Sequence, residues 1–274
     1  MGSTSVVEIA SLIKATLSGD PKIPVFGVSL NSNTVEKNEL FAALPGRTAH
    51  GIVFVSQAIT RGASAILTDS AGVKWLDQSD LHIELPVLLV SDPRASLGSV
   101  CKLVYADPAC GMILLGVTGT NGKSTTSSMI YQAARAVGIR AGLIGTLATA
   151  IDGEEVGSVR TTPEAPDLFR TIARMKNGGV KLIVMEVSSI ALSEHRVNGV
   201  EFDCVGFTNL SHDHLDYHDS MVEYFSAKSQ LFSQRYARSA LICTDSSWGK
   251  KLCESIAIPF ESVGNVGSPD WKIT

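Results

Sequence analysis

The sequence predicts an α/β protein of two units, a small N-terminal α/β domain followed by a larger one built on a mostly parallel sheet. Three observations carry this. Short apolar runs alternate with segments of helical periodicity throughout the chain. In the second half those runs are continuously apolar, the pattern of strands covered on both faces. Between the halves, Ala106-Asp-Pro-Ala-Cys-Gly111 breaks the periodicity and reads as a linker. The boundary is therefore expected at 107/108, with domains over 1–107 and 108–274.

Taken in order, Val6, Ile9, Ala10, Ile13 and Leu17 fall at helical spacing and predict a helix over 6–17, stopped by Gly19. Val25–Leu30 reads as a strand, and Asn31-Ser-Asn33 as a turn. Val53, Val55, Ala58 and Ile59 place a helix from residue 51 to Gly62, followed by a strand at Ala65–Leu67. Leu85–Val90 is another strand and Pro93–Tyr105 another helix. In the second unit, strand Met112–Val117 precedes a helix over Lys123–Val137. Further strands are expected at Arg140–Ile144, Leu182–Val187, Val205–Thr208 and Ala240–Thr244. The right-handed crossover rule then collects the loops after each strand along one edge, where ligands bind.

The chain has 274 residues, 45% hydrophobic and 18% charged, the balance of a soluble globular protein. A net charge of −4 argues against broad nucleic-acid binding, which needs clustered Lys and Arg. Five scattered cysteines form no C-x-x-C pair and read as free thiols of a reducing, cytoplasmic environment. The N-terminus lacks the basic-then-apolar pattern of a secretory signal, and no run is long enough to span a bilayer. No membrane insertion is expected.

Gly116-Val-Thr-Gly-Thr-Asn-Gly-Lys-Ser-Thr-Thr126 follows the most apolar strand and opens a helix. Glycines allow a tight bend that brings backbone N–H groups against phosphate oxygens, and the helix N-terminus adds partial positive charge. Lys123 is placed to reach the β- and γ-phosphates, and the Ser124 hydroxyl to coordinate Mg²⁺. The glycines stand at 116, 119 and 122, shifted from the general G-x-x-x-x-G-K-[ST] spacing. The second unit is thus P-loop ATPase-like, with ATP and Mg²⁺ as its expected ligands. A Gly-rich turn with an incidental Lys is the bland alternative.

Other residues invite chemistry with less force. Glu186 ends a predicted buried strand, where a carboxylate needs a cation or a donor, whether Mg²⁺ or a structural salt bridge. Thr161-Thr-Pro163 is a polar turn that offers hydroxyls and N–H groups to a phosphate, or simply a loop. Arg196 has a fork suited to oxyanions, or is a surface arginine. Asp213-His-Leu-Asp216, with His212 and His218, gathers ligand-capable groups after a strand. Lys228, on an amphipathic helix, would by default be solvated.

The string GVTGTNGKSTT resembles the shifted phosphate loop of the Mur ligases. MEVSSIAL (185–192), RVNGVEFD (196–203), FTNLSHDHLDYH (207–218) and YFSAKSQLF (224–232) are similar, in order and spacing, to central-domain motifs of that family. LFAALPGRTAHG (40–51) resembles the front domain of the member that adds a diamino acid, meso-diaminopimelate or L-lysine, to UDP-MurNAc-L-Ala-D-Glu. The resemblance implies a small N-terminal substrate domain and a central ATP-binding domain, the latter truncated, with the C-terminal amino-acid-binding domain absent. By the same resemblance Gly119, Thr120, Asn121, Gly122, Lys123, Ser124 and Thr125 contact ATP. Leu30 and Ser32 are implied to lie at the uridine end of the substrate, with Arg47, Thr48 and Ala49 also in the pocket of the N-terminal domain. Thr161, Thr162, Ser188, Glu194 and Arg196 hold the rest. Ser124, Glu186, His214 and Lys228 are implied metal-site residues, Lys228 as a carbamate formed with CO₂, and with Lys123 they make the implied catalytic set.

Several positions depart from the family pattern. Asn31-Ser-Asn33 stands where Asp-Ser-Arg is usual, Arg160 where Asn is common, and Glu194 where Gln is frequent. Ile190 replaces a common His and Asp219 a common Gly. The implied reaction is ATP-driven amide formation in peptidoglycan precursor synthesis: a substrate carboxylate takes the γ-phosphoryl group as an acyl phosphate, which an amine then attacks. The implied partners are UDP-MurNAc-L-Ala-D-Glu, a diamino acid and ATP, handled by a monomer. With the third domain expected beyond Thr274, the isolated chain is expected to bind nucleotide without completing ligation. The rivals are another ligase of the superfamily, a non-catalytic nucleotide-binding subunit and a generic P-loop NTPase.

Overall fold

The computed structural model describes residues 4–46, 48–155, 157, 160–213 and 217–273. The chain divides into two compact units, Met1–Pro108 with Ala165–Thr171, and Ala109–Glu164 with Ile172–Thr274. The return of 165–171 to the first unit is not foreshadowed by contiguity in sequence.

The first unit begins with β1 (Thr4–Ser5) and α1 (Val6–Ile13), then β2 (Thr16–Ser18), β3 (Pro24–Val25), β4 (Gly27–Ser29) and β5 (Glu39–Ala42). A 3₁₀ turn (Gly51–Phe54) runs into α2 (Val55–Thr60), followed by β6 (Ala65–Thr68), α3 (Ser70–Gln78), β7 (Val87–Leu89) and α4 (Pro93–Val104). Among the described residues β2-β7-β6-β5-β4 form one sheet, parallel from β4 to β7 with β2 antiparallel at the edge. Its core includes Val35, Phe41, Ile52, Val55, Ala58 and Ile66. Fully burying each large aliphatic stabilises by about 1.5–3 kcal/mol. Asp92 caps α4 by accepting from the Ala95 amide at 2.9 Å, with Pro93 in the first turn, where its missing N–H costs nothing.

The expected helix over 6–17 ends early. Lys14 turns left-handed (φ 54°), and Leu17 enters β2 opposite Leu88. The expected strand 25–30 divides at Phe26, because Val25 pairs with Thr4 while β4 pairs with β5. The helix read from residue 51 starts as a 3₁₀ turn. β5 and α3 have no counterpart among the elements expected from the sequence. β5 opens on the charged Glu39 and leaves only three apolar residues in the strand, and α3 has few buried positions to mark a stripe.

The second unit opens with β8 (Ile113–Thr118) and α5 (Lys123–Ala136), then β9 (Ala141–Ile144) and the short strands β10 (Thr149–Ile151) and β11 (Glu154–Glu155). After α6 (Ala165–Asn177) come β12 (Leu182–Glu186), α7 (Ser189–Ser193), β13 (Cys204–Phe207), α8 (Met221–Ser229), β14 (Ala240–Cys243), α9 (Ser247–Ser255), β15 (Phe260–Gly264) and β16 (Trp271–Lys272). Among the described residues these strands make one sheet in the order β11-β10-β9-β12-β8-β13-β14-β15-β16. It is parallel from β9 to β16, with the antiparallel β10–β11 hairpin on one edge. Ile183, Val184 and Met185 are completely buried, as the continuous apolar run required. α5 packs on this sheet through Tyr131 and Ala134 against Val117, Leu143 and Val184. β8 and β12 lie side by side at the centre, so the groups at their carboxyl ends are neighbours. Among the described residues no helix is long and apolar enough to cross a membrane.

Candidate active site

The loop between β8 and α5 is bent by glycine. Gly119 (φ 149°) and Gly122 (φ 83°) take conformations that residues with a Cβ rarely adopt, and Gly122 caps α5. A Cβ on Gly119 would also collide with Thr208 Oγ1 and lie 3.0 Å from the Asn209 carbonyl oxygen.

Segment 208–211 braces the bend from outside. The Thr120 amide donates to Asn209 O at 2.9 Å and the Asn121 amide to Asn209 Oδ1 at 3.0 Å. Thr208 Oγ1 donates to Asn121 O at 2.7 Å, and the Ser211 amide to Thr120 Oγ1 at 3.0 Å. Thr208, Asn209 and Ser211 are site residues that the sequence reading lacks. Lying within FTNLSHDHLDYH just after a strand, they were the available signal, masked by the more conspicuous histidines.

Two ammonium groups converge on the loop. Lys123 Nζ donates to Gly119 O at 3.0 Å and Thr120 O at 2.8 Å, and Lys228 Nζ donates to Gly119 O at 2.9 Å. Burial lowers the Lys123 pKa, opposed by the charges of Glu186 and Asp213. Lys228 is 1% exposed. Burial first, then the neighbouring Lys123 charge, bring its pKa down to about 7 against the pull of Asp213. The ammonium stands 4.7 Å from the centre of the Tyr224 ring, whose hydroxyl is 3.2 Å from Thr120 Oγ1.

Glu186 ends β12 and is 2% exposed. Its carboxylate accepts from Ser124 Oγ at 2.9 Å, from the Thr146 amide at 2.9 Å and from Thr146 Oγ1 at 3.0 Å. A hydroxyl and a carboxylate beside a phosphate-type loop are the hard oxygen donors Mg²⁺ prefers when phosphates and water complete its shell, so these residues fit that ion.

Opposite the loop, Thr162 Oγ1 donates to Glu186 O at 2.9 Å and accepts from the Ser188 amide at 3.1 Å. Ser188 caps α7 by accepting from the Ala191 amide at 3.1 Å. Arg196 pairs with Glu164 at 2.9 Å, and the same carboxylate holds Arg160. Together Thr120, Gly122, Lys123, Ser124, Glu186 and Arg196 line one cavity of about 580 Å³, with Asn121, Thr125, Thr161, Thr162, Ser188, Arg160, Ile190 and Thr146 completing its walls. Thr146 is a further residue the sequence did not flag.

Of the other sequence-derived residues, Glu194 accepts from Tyr217 OH at 3.0 Å and does not line this cavity. His214 lies outside the described residues, as does Arg47. In the first unit, buried Ser32 donates to Gln57 Oε1 at 2.7 Å, and Gln57 Nε2 donates to Asn33 Oδ1 at 2.6 Å. One carboxamide on α2 therefore clamps the Asn31-Ser-Asn33 turn, next to half-buried Leu30. Thr48 and Ala49 are exposed in a bend.

Strand, glycine bend, Lys-Ser and helix in that order, with a buried acid on the adjoining strand, define a chain of the P-loop class. The family described as Mur ligase middle domain matches residues 117–267, and that described as Mur ligase family, catalytic domain, matches 24–104. The chain belongs to the Mur ligase family. It is 39% identical over 272 residues to a UDP-N-acetylmuramyl-tripeptide synthetase of Leifsonia xyli, covering 98% of this chain and 52% of that one. It is 41% identical over 268 residues to a UDP-N-acetylmuramoyl-L-alanyl-D-glutamate–2,6-diaminopimelate ligase of Corynebacterium glutamicum, covering 94% and 51%. A solved ligase of the latter name has the same fold (TM-score 0.78, 22% identity, 97% of this chain and 53% of that one). A MurF ligase of Thermotoga maritima solved with ADP is also similar in fold (TM-score 0.60, 16% identity, 88% and 51%). The chain spans about half the length of the curated relatives it matches.

Proposed function

We propose that this chain is the substrate- and ATP-binding part of an ATP-dependent ligase that adds 2,6-diaminopimelate to UDP-MurNAc-L-Ala-D-Glu in peptidoglycan precursor synthesis. The observation that carries the reading is the single cavity in which the phosphate loop, Lys123, Ser124 and buried Glu186 face Thr161, Thr162, Ser188 and Arg196. The acceptor amino acid is the one in the name of the Corynebacterium relative.

In this reading the backbone amides of 119–125 and the α5 N-terminus cradle the triphosphate of ATP. Lys123 leaves the loop carbonyls for the β- and γ-phosphates and offsets charge on the transferring group. Ser124 and Glu186 hold Mg²⁺, joined by His214. An ion held there would supply positive charge against the phosphate oxygens. Lys228, with a pKa near 7, has a substantial neutral fraction at physiological pH. Its amine adds CO₂ and releases a proton, giving a carbamate that supplies a second anionic oxygen ligand.

Thr161, Thr162, Ser188 and Arg196 hold the anionic part of the nucleotide-sugar peptide. Arg196 exchanges part of its pairing with Glu164 for that anion. Leu30 and Ser32 receive the uridine end, Arg47, Thr48 and Ala49 belong to the same N-terminal pocket, and Glu194 contacts the peptide. The D-Glu carboxylate attacks the γ-phosphorus and expels ADP. The acceptor amine then attacks the acyl phosphate and expels inorganic phosphate. The substrates are small soluble molecules, which fits a cytoplasmic enzyme, and the chain is proposed to act as a monomer.

Isothermal titration with UDP-MurNAc-L-Ala-D-Glu, UDP-MurNAc-L-Ala and the longer UDP-MurNAc-tripeptide tests the assignment. Preference for the dipeptide form is expected, and equal binding of all three would remove it.

A further inference from the structure

Within the cavity, we propose that Thr146 is the positioning residue of Glu186: its amide and hydroxyl hold the two carboxylate oxygens in the orientation that faces Ser124. The inference rests on the nucleotide reading above and deepens it. A carboxylate that is 2% exposed must be satisfied by donors. Ser124 supplies one hydrogen bond, and Thr146 supplies one to each oxygen, from its amide to Oε1 at 2.9 Å and from Oγ1 to Oε2 at 3.0 Å.

The turn that presents Thr146 is itself fixed. The Gly145 amide donates to Ala148 O at 3.0 Å between β9 and β10. A Cβ on Gly145 would collide with the Glu186 carboxylate and lie 3.0 Å from its Cδ, so the turn approaches closely only because residue 145 has no side chain. Thr146 Oγ1 also shares a hydrogen bond of 3.0 Å with Thr161 Oγ1, across the cavity wall. One hydroxyl thus ties the acid beside the phosphate loop to the Thr161–Thr162 turn. Thr146 itself is exposed to the cavity, so replacing it leaves the core intact.

The test is fluorescence titration of the 274-residue chain with N-methylanthraniloyl-ADP, with and without Mg²⁺, for the unsubstituted protein, Thr146→Val and Thr146→Ser. Mg²⁺ is expected to tighten binding in the unsubstituted and Ser forms. In Thr146→Val that gain falls by about tenfold, the scale of one hydrogen bond to a charged group, while metal-free affinity is unchanged. A full Mg²⁺ gain in Thr146→Val, a matching loss of its metal-free affinity, or failure of Thr146→Ser to restore the gain overturns the inference alone. Absence of any Mg²⁺ gain in the unsubstituted protein overturns the nucleotide reading and the inference with it.

Discussion

Lys123 and Lys228 donate to one carbonyl, Gly119 O, at 3.0 and 2.9 Å, and their mutual repulsion is part of why Lys228 is so weakly basic. The folded pKa of Lys228, about 7, is depressed from the usual 10.5. Between those values the unfolded chain carries a proton that the folded one lacks. The Lys228 contribution to stability therefore rises with pH across that window and is flat below it. Urea melts at pH 7 and pH 10 should show a smaller pH-dependent gain in Lys228→Met than in the unsubstituted protein; identical slopes would contradict the burial argument. In the sequence Lys228 looked like a surface residue, its role coming only from resemblance. The helical signal was nevertheless present, since Tyr224, Phe225 and Lys228 share the buried stripe of α8. Thr146 had no such signal, because only the folded turn brings it to Glu186.

At the scale of elements, the strand–bend–helix unit was legible because each part has a strong local cause: an apolar run, glycines and a periodic helix. Its brace was not, since the end of the expected strand at Thr208 and the polar residues Asn209 and Ser211 carry no local sign of a partner until strand pairing sets β13 beside β8. The β10–β11 hairpin also escaped, being two or three residues per strand. Gly119→Ala should destabilise the second unit by about 2 kcal/mol through strain and the Thr208 collision, and should weaken ADP binding. A variant with unchanged melting and unchanged ADP affinity would show that the bend needs neither glycine nor the brace.

For the whole molecule, the two-unit α/β plan followed from alternation of apolar runs and helical periods, and the parallel order of the second sheet from their continuity. Membership of 165–171 in the first unit did not, because the contact that brings it there is between residues far apart in sequence. Arg170 pairs with Glu39 at 2.7 Å and also donates to Val28 O at 3.2 Å. Glu39 is 4% exposed, so Arg170→Met leaves a buried carboxylate without its cation. A loss of about 2–3 kcal/mol is expected, below the range for fully buried pairs because the arginine is partly solvated. Chemical denaturation showing no loss would place the pair among neutral surface contacts.

In the proposed function the Gly119–Thr125 bend holds a nucleoside triphosphate with Lys123 beside it. Equilibrium dialysis of the chain against a non-hydrolysable ATP analogue with Mg²⁺, compared with Lys123→Met, tests it most directly. Saturable binding at one site, weakened about tenfold or more by the substitution, is the predicted result. No binding, or equal affinity in the two proteins, would contradict it.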